Sequence, residues 1–199
     1  MSLANNLIIF IKNPVTGKVK TRLAADTGNE GALEIYNYLL SSTRKIADEA
    51  DATRYLMYSD YVNYTDEWPE SMYIKLAQTG VDLGDRMYNA FSAVHKSGDK
   101  TIIIGSDCPY LTYQIIEDGF KMLDSHDLVF GPTEDGGYYL LGMKSNFKEL
   151  FENIEWSTDK VLEQSIQSIK DLNLTYSLLP VLEDIDTLTD WHNYLAFRH

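Results

Sequence analysis

Short apolar runs alternate with longer amphipathic stretches along this chain. Residues 7–11 are continuously apolar and are followed by Lys12, a pattern that predicts a fully buried strand over residues 7–12. Five further strands are predicted at residues 53–59, 72–76, 101–105, 127–131 and 138–143, followed by an extended segment at 174–182. These runs together predict a central β-sheet.

Apolar residues recur at helical spacing between the strands. Helices are predicted at residues 30–50, 83–94, 112–123 and 157–169, and a last one begins near Leu188 and buries Trp191, Leu195 and Phe197. Thr112 suits the N-cap of the third helix, and Ser157 or Thr158 that of the fourth. Strands that alternate with helices favour a doubly wound α/β sheet, in which ligands lie beyond the carboxyl ends of the strands. The sequence has no linker-like tract, so residues 1–199 are predicted to form one domain.

The charge distribution singles out the segment after the first strand. The chain carries 17 Lys and Arg against 30 Asp and Glu, a net charge of −13, yet its first acidic residue is Asp26. Lys12, Lys18, Lys20 and Arg22 all precede it. A strand that runs into a loop bearing glycine and lysine is a common arrangement for holding phosphate. A solvated basic loop is the alternative.

Bulk properties exclude several classes of function. The acidic balance argues against a nucleic-acid groove, which needs a broad basic face. No apolar run approaches the ~20 residues of a membrane span, and the N-terminal residues lack a signal-peptide pattern. The single Cys108 precludes an intrachain disulfide and fits the reducing cytoplasm, where we expect the protein to reside.

A second candidate site follows the apolar run at 102–104. Gly105, Ser106, Asp107, Cys108 and Pro109 come next, so Asp107 is predicted at the carboxyl end of a strand. Mg²⁺ and Mn²⁺ prefer carboxylate oxygens together with substrate phosphates, which makes Asp107 a candidate metal ligand. The alternative is that Asp107 caps the following helix. Cys108 is predicted to be a buried apolar residue rather than a nucleophile.

A third candidate lies between the strands at 127–131 and 138–143. Glu134 and Asp135 precede Gly136 and Gly137, which allow the backbone to pass close to a ligand. More charge is present here than a tight turn needs, although Asp-Gly is also a strong hairpin signal.

Late acidic residues form a fourth candidate. Asp184 and Asp186 alternate on an extended segment, and Thr187 or Thr189 suits the cap of the final helix. This segment gains functional weight only if the fold brings it beside Asp107. Arg86, in the first turn of a predicted helix, is a candidate for facing an anion, with a surface position as the alternative.

Five motifs taken together resemble one family. They are Lys12-x-Pro14-x-x-Gly17-Lys18-Val19-Lys20-Thr21-Arg22, Gln78-x-Gly80-x-x-Leu83-Gly84-x-Arg86-Met87, Gly105-Ser106-Asp107-Cys108-Pro109, Gly131-Pro132-x-x-Asp135-Gly136-Gly137-Tyr138 and Trp156-Ser157-Thr158. In this order they resemble the DUF2064-type family of bacterial proteins, described as candidate glycosyltransferases within the nucleotide-diphospho-sugar transferase superfamily. The resemblance implies a Rossmann-like glycosyltransferase-A fold with a mostly parallel sheet and helices on both faces.

The resemblance also implies roles for particular residues. Asp107 and Asp186 would bind Mg²⁺ or Mn²⁺. Lys18, Arg22 and Asp135 would be catalytic. The nucleotide would be bound by Lys12, Pro14, Gly17, Lys18, Lys20, Arg22, Gln78, Gly80 and Arg86. The acceptor would be bound by Gly136, Gly137, Tyr138, Trp156, Ser157 and Thr158.

The implied activity is transfer from a nucleoside triphosphate or a nucleotide-sugar to a small acceptor, by a metal-dependent nucleotidyltransferase or glycosyltransferase. The sequence around Asp107 has no Asp-x-Asp pair, and the cations of the first loop look more like those of a nucleotidyltransferase. A non-catalytic nucleotide-binding partner protein is the alternative from another class. The base, the sugar, the acceptor and the oligomeric state stay open.

Overall fold

The structure is a computed structural model and describes residues 4–198. Its helices and strands follow the predicted alternation. In chain order they are β1 (Asn5–Ile11), α1 (Thr21–Glu49), β2 (Thr53–Tyr58), β3 (Tyr73–Ala77), α2 (Leu83–Val94), β4 (Lys100–Ile104), α3 (Tyr113–Met122), β5 (Leu128–Pro132), β6 (Tyr138–Met143), a 3₁₀ turn (Lys148–Phe151), α4 (Val161–Asp171), β7 (Tyr176–Leu178) and α5 (Leu188–Phe197).

One seven-stranded sheet organises the molecule, in the order β3-β2-β1-β4-β6-β5-β7. β6 runs antiparallel to both of its neighbours, β4 and β5, and every other pairing is parallel. The carboxyl ends of β1, β2, β3, β4 and β5 therefore lie at the same edge of the sheet. The predicted α/β fold with a mostly parallel sheet is confirmed.

Apolar side chains cover both faces of the sheet. Successive residues of a strand point to opposite faces. Ile9 packs in a cluster that includes residues of α1 and α3, and its neighbour Ile8 packs in a cluster with residues of α2 and α4. This is why β1 is apolar without alternation, and it places helices on both sides as expected. Within residues 4–198, no helix is long and apolar enough to cross a membrane.

Two helix starts differ from the prediction. Helix α1 begins at Thr21 rather than at residue 30, and Gly28 interrupts it with φ 73° and ψ 166°. Because the residues around Gly28 are polar, the hydrophobic pattern does not reveal the first turns of α1. Helix α4 begins at Val161 with Lys160 as its N-cap, so the predicted caps Ser157 and Thr158 are wrong. Both lie in preceding turns, Ser157 with φ 64°.

Two other elements are shorter or less buried than predicted. Of the extended segment 174–182, only Tyr176–Leu178 forms a strand, and Leu182 adds one isolated bridge to Thr133. In α5 the buried residue is Tyr194, Trp191 and Leu195 are half-buried, and Phe197 is 73% exposed, contrary to the prediction. The predicted caps Thr112 and Thr187 are confirmed, so Asp107 is not the cap of α3.

Candidate active site

The ammonium group of Lys20 links two acidic side chains that are far apart in sequence. Its Nζ lies 3.0 Å from Asp107 Oδ1 and 3.4 Å from Asp186 Oδ1. It also donates to the carbonyl of Ile185 at 2.6 Å. The Lys20 side chain is only 6% exposed, while those of Asp107 and Asp186 are 40% and 45% exposed. Asp186 of the late acidic segment therefore lies beside Asp107, which was the condition for interpreting that segment as functional.

Backbone pairing explains how the two acidic segments meet. Asp107 follows the carboxyl end of β4, and its carbonyl accepts from the Ile185 N–H at 2.9 Å. Upstream, Leu182 N–H donates to the Pro132 carbonyl at the end of β5. The late segment is therefore bound along the edge where the parallel strands end, which delivers Asp184 and Asp186 to that edge.

Asp184 joins this group, although of the two late aspartates only Asp186 was predicted from the sequence to have a role. It is half-buried. Burial, and then the negative charge of Asp107, raises its pKa to about 7, against the opposing effect of Lys20. We call Asp107, Asp184 and Asp186 the carboxylate cluster. The acidic alternation in the sequence was the available signal for Asp184.

Tyr36, a residue of α1 that was not among the predicted site residues, connects two strand ends at the site. Its hydroxyl accepts from the Lys12 N–H at 2.8 Å, donates to the Lys12 carbonyl at 3.1 Å, and lies 3.3 Å from Ser106 Oγ. Burial, and then the nearby charge of Asp107, raises the pKa of Tyr36, so it stays a neutral hydroxyl. It ties the end of β1 to the end of β4.

Two adjoining cavities open at the carboxylate cluster. The polar cavity, of about 480 Å³, is lined by Lys12, Lys20, Thr21, Arg22, Tyr36, Leu83, Asp107, Thr133, Asp135, Gly137, Tyr138, Trp156, Ser157, Thr158, Asp159, Val161, Asp184 and Asp186. The apolar cavity, of about 430 Å³, is lined by Phe10, Ile11, Lys12, Tyr36, Ser59, Gln78, Val81, Asp82, Leu83, Arg86, Met87, Ile103, Ile104, Gly105, Ser106, Asp107, Tyr138, Tyr139, Leu140 and Leu141. Lys12 and Asp107 line both, so they stand at the boundary.

Most predicted nucleotide-binding residues lie around these cavities. Gln78 Nε2 donates to the carbonyls of Ile11 and Met57, and its Oε1 accepts from Arg86 at 3.3 Å. Gly80 has φ 139°, and a Cβ there would meet the Arg86 backbone nitrogen at 2.7 Å, so this glycine permits the turn into α2. Gln78 and Arg86 thus form a polar wall of the apolar cavity.

Three residues of the first loop lie elsewhere. Lys18 is exposed and outside both cavities, unlike Lys12, Lys20 and Arg22. Pro14 lines a third cavity beside Arg44 and Trp68. Gly17 has φ 77°, a left-handed backbone that the loop needs before α1.

The hairpin between β5 and β6 carries Asp135 to the polar cavity. Asp135 Oδ1 accepts from Thr133 Oγ1 at 2.5 Å and from the Gly137 N–H at 3.2 Å, so it also shapes the turn. Asp135 is exposed, and both of these hydrogen bonds use its Oδ1 rather than its Oδ2. The turn interpretation and the functional one are therefore compatible.

The remaining predicted acceptor residues form one wall. Gly137, Tyr138, Trp156, Ser157 and Thr158 line the polar cavity. Gly136 does not; it has φ 84°, and a Cβ there would clash with the backbone of Asp159. Gly136 lets the hairpin pack against the 156–159 segment.

The carboxylate cluster has the donor chemistry of a magnesium or manganese site. Among the described residues, no three His, Cys, Asp or Glu side chains are arranged to enclose a metal. Two carboxylates that converge on one ammonium, open to a polar cavity, instead suit a hard cation that takes its other ligands from water and phosphate. Burial raises the pKa of Asp184 most, and the neighbouring carboxylates Asp107, Asp135 and Asp186 raise it further. Asp107 and Asp186 therefore fit such an ion.

Solved structures share this fold. A protein from Desulfovibrio desulfuricans G20, named as a candidate nucleotide-diphospho-sugar transferase, is 28% identical with a TM-score of 0.83, over 92% of this chain and 82% of that one. A CMP:2-keto-3-deoxy-manno-octonic acid synthetase complexed with CTP is 8% identical with a TM-score of 0.58, over 98% of each chain. Rv0371c from Mycobacterium tuberculosis H37Rv, in complex with manganese, is 13% identical with a TM-score of 0.60, over 98% of this chain and 100% of that one.

Sequence comparison assigns the family. No curated protein sequence matches the chain. A family model described as "Uncharacterized protein conserved in bacteria (DUF2064)" matches residues 42–158, which contain β2 to β6, Asp107 and the Asp135 hairpin. With more than half of its length matched, and with the fold of a nucleotide-diphospho-sugar transferase, the chain belongs to the DUF2064 family.

Proposed function

We propose that this protein is a metal-dependent nucleotidyltransferase that transfers the nucleotidyl group of a nucleoside triphosphate to a small acceptor. The observation that carries the proposal is the ion-paired group of Lys20, Asp107 and Asp186 in the polar cavity, with Asp107 also lining the adjoining apolar cavity. The apolar cavity offers apolar side chains and the Gln78–Arg86 pair to a base. The polar cavity offers cations to phosphates and a separate wall to an acceptor.

In this reaction an acceptor oxygen attacks the α-phosphorus. The new O–P bond forms as the bond to the β-phosphate oxygen breaks, and pyrophosphate leaves with the electron pair. Lys12, Lys20 and Arg22 line the polar cavity and are the cations that would stabilise the departing charge. A divalent ion held by Asp107 and Asp186 would supply further positive charge at the phosphates.

The acceptor decides whether a base is needed. A phosphate acceptor attacks as an anion and has no proton to lose. A hydroxyl acceptor must lose one, and Asp135, which also lines the polar cavity, is the carboxylate that would take it. Positioning and electrostatics carry the remaining catalysis, so no nucleophilic side chain is required. The buried Cys108, with its thiol pKa raised by burial, has no part in the reaction.

Glycosyl transfer is the second candidate. It is supported by the relative that is 28% identical and named as a candidate nucleotide-diphospho-sugar transferase. In that reaction a hydroxyl attacks the sugar carbon and a nucleoside diphosphate leaves. The same cations and carboxylates would hold the diphosphate, and Asp135 would again be the base.

Product analysis tests both candidates. The protein is incubated with Mg²⁺ or Mn²⁺, each of the four ribonucleoside triphosphates or UDP- and GDP-sugars, and a panel of sugar phosphates, polyols and phospho-alcohols. Acceptor-dependent pyrophosphate is expected, and Asp107→Asn is expected to abolish it. Nucleoside diphosphate from sugar nucleotides would instead establish glycosyl transfer. Nucleotide binding without either product, across the panel, would indicate a non-catalytic binding protein.

A further inference from the structure

The ammonium group of Lys20 contacts several protein groups at the edge of the polar cavity. It donates hydrogen bonds to the Ile185 carbonyl at 2.6 Å and to Asp186 Oδ1 at 3.4 Å, and it forms an ion pair with Asp107 Oδ1 at 3.0 Å. An ammonium group has three donors. Two of them are used in these hydrogen bonds, and the positive charge lies beside two carboxylates, although the side chain lines the polar cavity.

The backbone at Lys20 is also unusual. Its φ of 47° and ψ of 49° are left-handed, at the N-cap of α1, where the side chain makes no capping bond. A non-glycine residue in this region is less stable than in the right-handed form, because its Cβ lies too close to the following carbonyl oxygen. The side chain is thus aimed at the two carboxylates from a strained backbone.

The oxygens that hold Lys20 are the ones that a divalent ion would need. A cation bound by Asp107 and Asp186 takes their oxygens at ~2.0–2.1 Å in the case of Mg²⁺. The Lys20 ammonium, 3.0 Å and 3.4 Å from the same two oxygens, occupies that space. The two cations therefore compete for Asp107 Oδ1 and Asp186 Oδ1.

We infer that Lys20 is a resident counter-ion of the metal site, displaced when metal and nucleotide bind together. This inference rests on the metal site of the proposed function. In the free protein Lys20 neutralises Asp107 and Asp186. When a divalent ion takes their oxygens, the ammonium is released into the polar cavity, where phosphate oxygens accept its hydrogens.

A coupling between the two ligands follows. A metal that binds alone must expel Lys20 with no new partner for the ammonium, whereas a metal that arrives with phosphates provides one. Each ligand therefore raises the affinity for the other by the same factor. Arg22 is a weaker competitor, because its contact to Asp186 Oδ2 at 3.1 Å comes from a side chain that is 78% exposed.

Mn²⁺ binding to the free protein, followed by the electron paramagnetic resonance signal of unbound Mn²⁺, tests the inference without turnover. The variant is Lys20→Gly, because glycine accepts the left-handed backbone and adds no ligand. The matched control is Lys100→Met, which removes the same charge from another lysine paired to an aspartate, Asp124, with a side chain only 13% exposed. Lys100 begins β4, at the far edge of the sheet from Asp107.

Lys20→Gly is expected to bind Mn²⁺ about tenfold more tightly than the wild type, since a competing set of charge-assisted bonds is gone. Lys100→Met is expected to match the wild type. Equal affinity for all three proteins, with binding abolished by Asp107→Asn, would overturn the counter-ion role and leave the metal site intact. No Mn²⁺ binding by any of them, with or without pyrophosphate, would overturn both.

A second measurement needs no variant of Lys20 for its readout. In protein labelled with ¹⁵N-lysine, the bound ammonium of Lys20 is expected to give a slowly exchanging signal that disappears or shifts when Mg²⁺ and pyrophosphate are added together. At equal concentration, Mg²⁺ without pyrophosphate is expected to change this signal at least several-fold less than Mg²⁺ with pyrophosphate. A signal unaltered by Mg²⁺ with pyrophosphate, under conditions where Mn²⁺ with pyrophosphate binds, contradicts the inference.

Discussion

At the scale of single residues, position relative to the cavities separates side chains that look alike in the sequence. Lys18 and Arg22 are both cations of the first loop. Arg22 lines the polar cavity and contacts Asp186, whereas Lys18 is exposed and outside both cavities. The structure thus separates Arg22, which lines the polar cavity, from Lys18, which does not, although the two look equivalent in the sequence.

Arg22→Ala is expected to weaken nucleoside triphosphate binding about fivefold to tenfold. A charge-assisted hydrogen bond contributes about 1.5–3 kcal/mol, and the exposure of Arg22 reduces that value. Lys18→Ala removes an equal charge and serves as the control, with a change below about twofold. Titration calorimetry in the presence of Mg²⁺ measures both. A larger loss for Lys18→Ala would show that the loop closes over the ligand.

The two adjacent glycines of the hairpin are predicted to differ sharply. Gly136 has φ 84°, and a Cβ there would clash with the Asp159 backbone, whereas a Cβ on Gly137 would meet Thr133 Oγ1 at 3.0 Å. Gly136→Ala should lower the free energy of unfolding by at least about 2 kcal/mol, and Gly137→Ala by about 1 kcal/mol or less. Urea unfolding compares the two, and equal losses would argue against the close packing of residues 136 and 159.

At the scale of elements, the hydrophobic pattern predicted the strands well, because a buried strand appears in the local sequence as a run of apolar residues. It predicted α1 and α4 less well, because their first turns depend on interactions outside the pattern. Thr21–Glu49 begins in a polar stretch with Gly28 inside it, and the turns before Val161 are fixed by tertiary contacts. The reversal of β6 between two otherwise parallel neighbours is also absent from the pattern, since strand direction is set by the whole sheet.

One carboxylate reinforces the backbone pairing of the edge strand β7 with β5, so part of this attachment depends on pH. Asp127 Oδ2 accepts from the Thr175 N–H at 2.9 Å and from Thr175 Oγ1 at 2.7 Å. These bonds lower the pKa of Asp127 below its ordinary value of 3.8. A carboxyl group whose pKa is lower in the folded protein stabilises it above the unfolded pKa, and this stabilisation is lost as the pH falls through the folded pKa.

Asp127→Asn is therefore expected to lower the free energy of unfolding by about 1 kcal/mol at pH 7, a value already reduced for partial exposure. The difference from the wild type should shrink below pH 4. Asp118→Asn is the control, because Asp118 is exposed and, within residues 4–198, its one ion pair is with the exposed Lys121. Urea unfolding from pH 3 to pH 7 gives both curves, and a difference independent of pH would exclude the charge as its cause.

At the scale of the whole molecule, the site is assembled from segments that no local pattern connects. Sequence motifs identified Asp107, Asp135 and Asp186 separately, and only the fold joins Asp107 to Asp186 through Lys20. The sequence alone assigned no role to Asp184 or Tyr36, because each role depends on neighbours that only the fold supplies. The neighbours of Asp184 are other carboxylates, and those of Tyr36 are the ends of two strands. Burial and partner geometry are properties of the folded chain.

Binding at a junction of several strands should stabilise the entire fold. A ligand present at 100 times its dissociation constant adds about 2.7 kcal/mol, which corresponds to a rise in melting temperature of roughly 5–10 °C for a chain of this size. We expect that rise with Mg²⁺ and the preferred nucleoside triphosphate together, and a smaller one with either alone. Asp107→Asn should abolish the added effect of Mg²⁺. Additive rather than cooperative shifts would count against a shared site.

The reversal of β6 has a consequence for how this scaffold can diversify. Lys12, Gln78 and Asp107 follow the parallel strands β1, β3 and β4, while the hairpin at 133–137 and the segment at 156–159 line the polar cavity from two loops. In sequence, β6 lies between these loops and pairs with β4 and β5. The loop residues that face the cavity can therefore change while the paired strands keep their register, which makes these two loops the natural place to graft new preferences for the proposed acceptor.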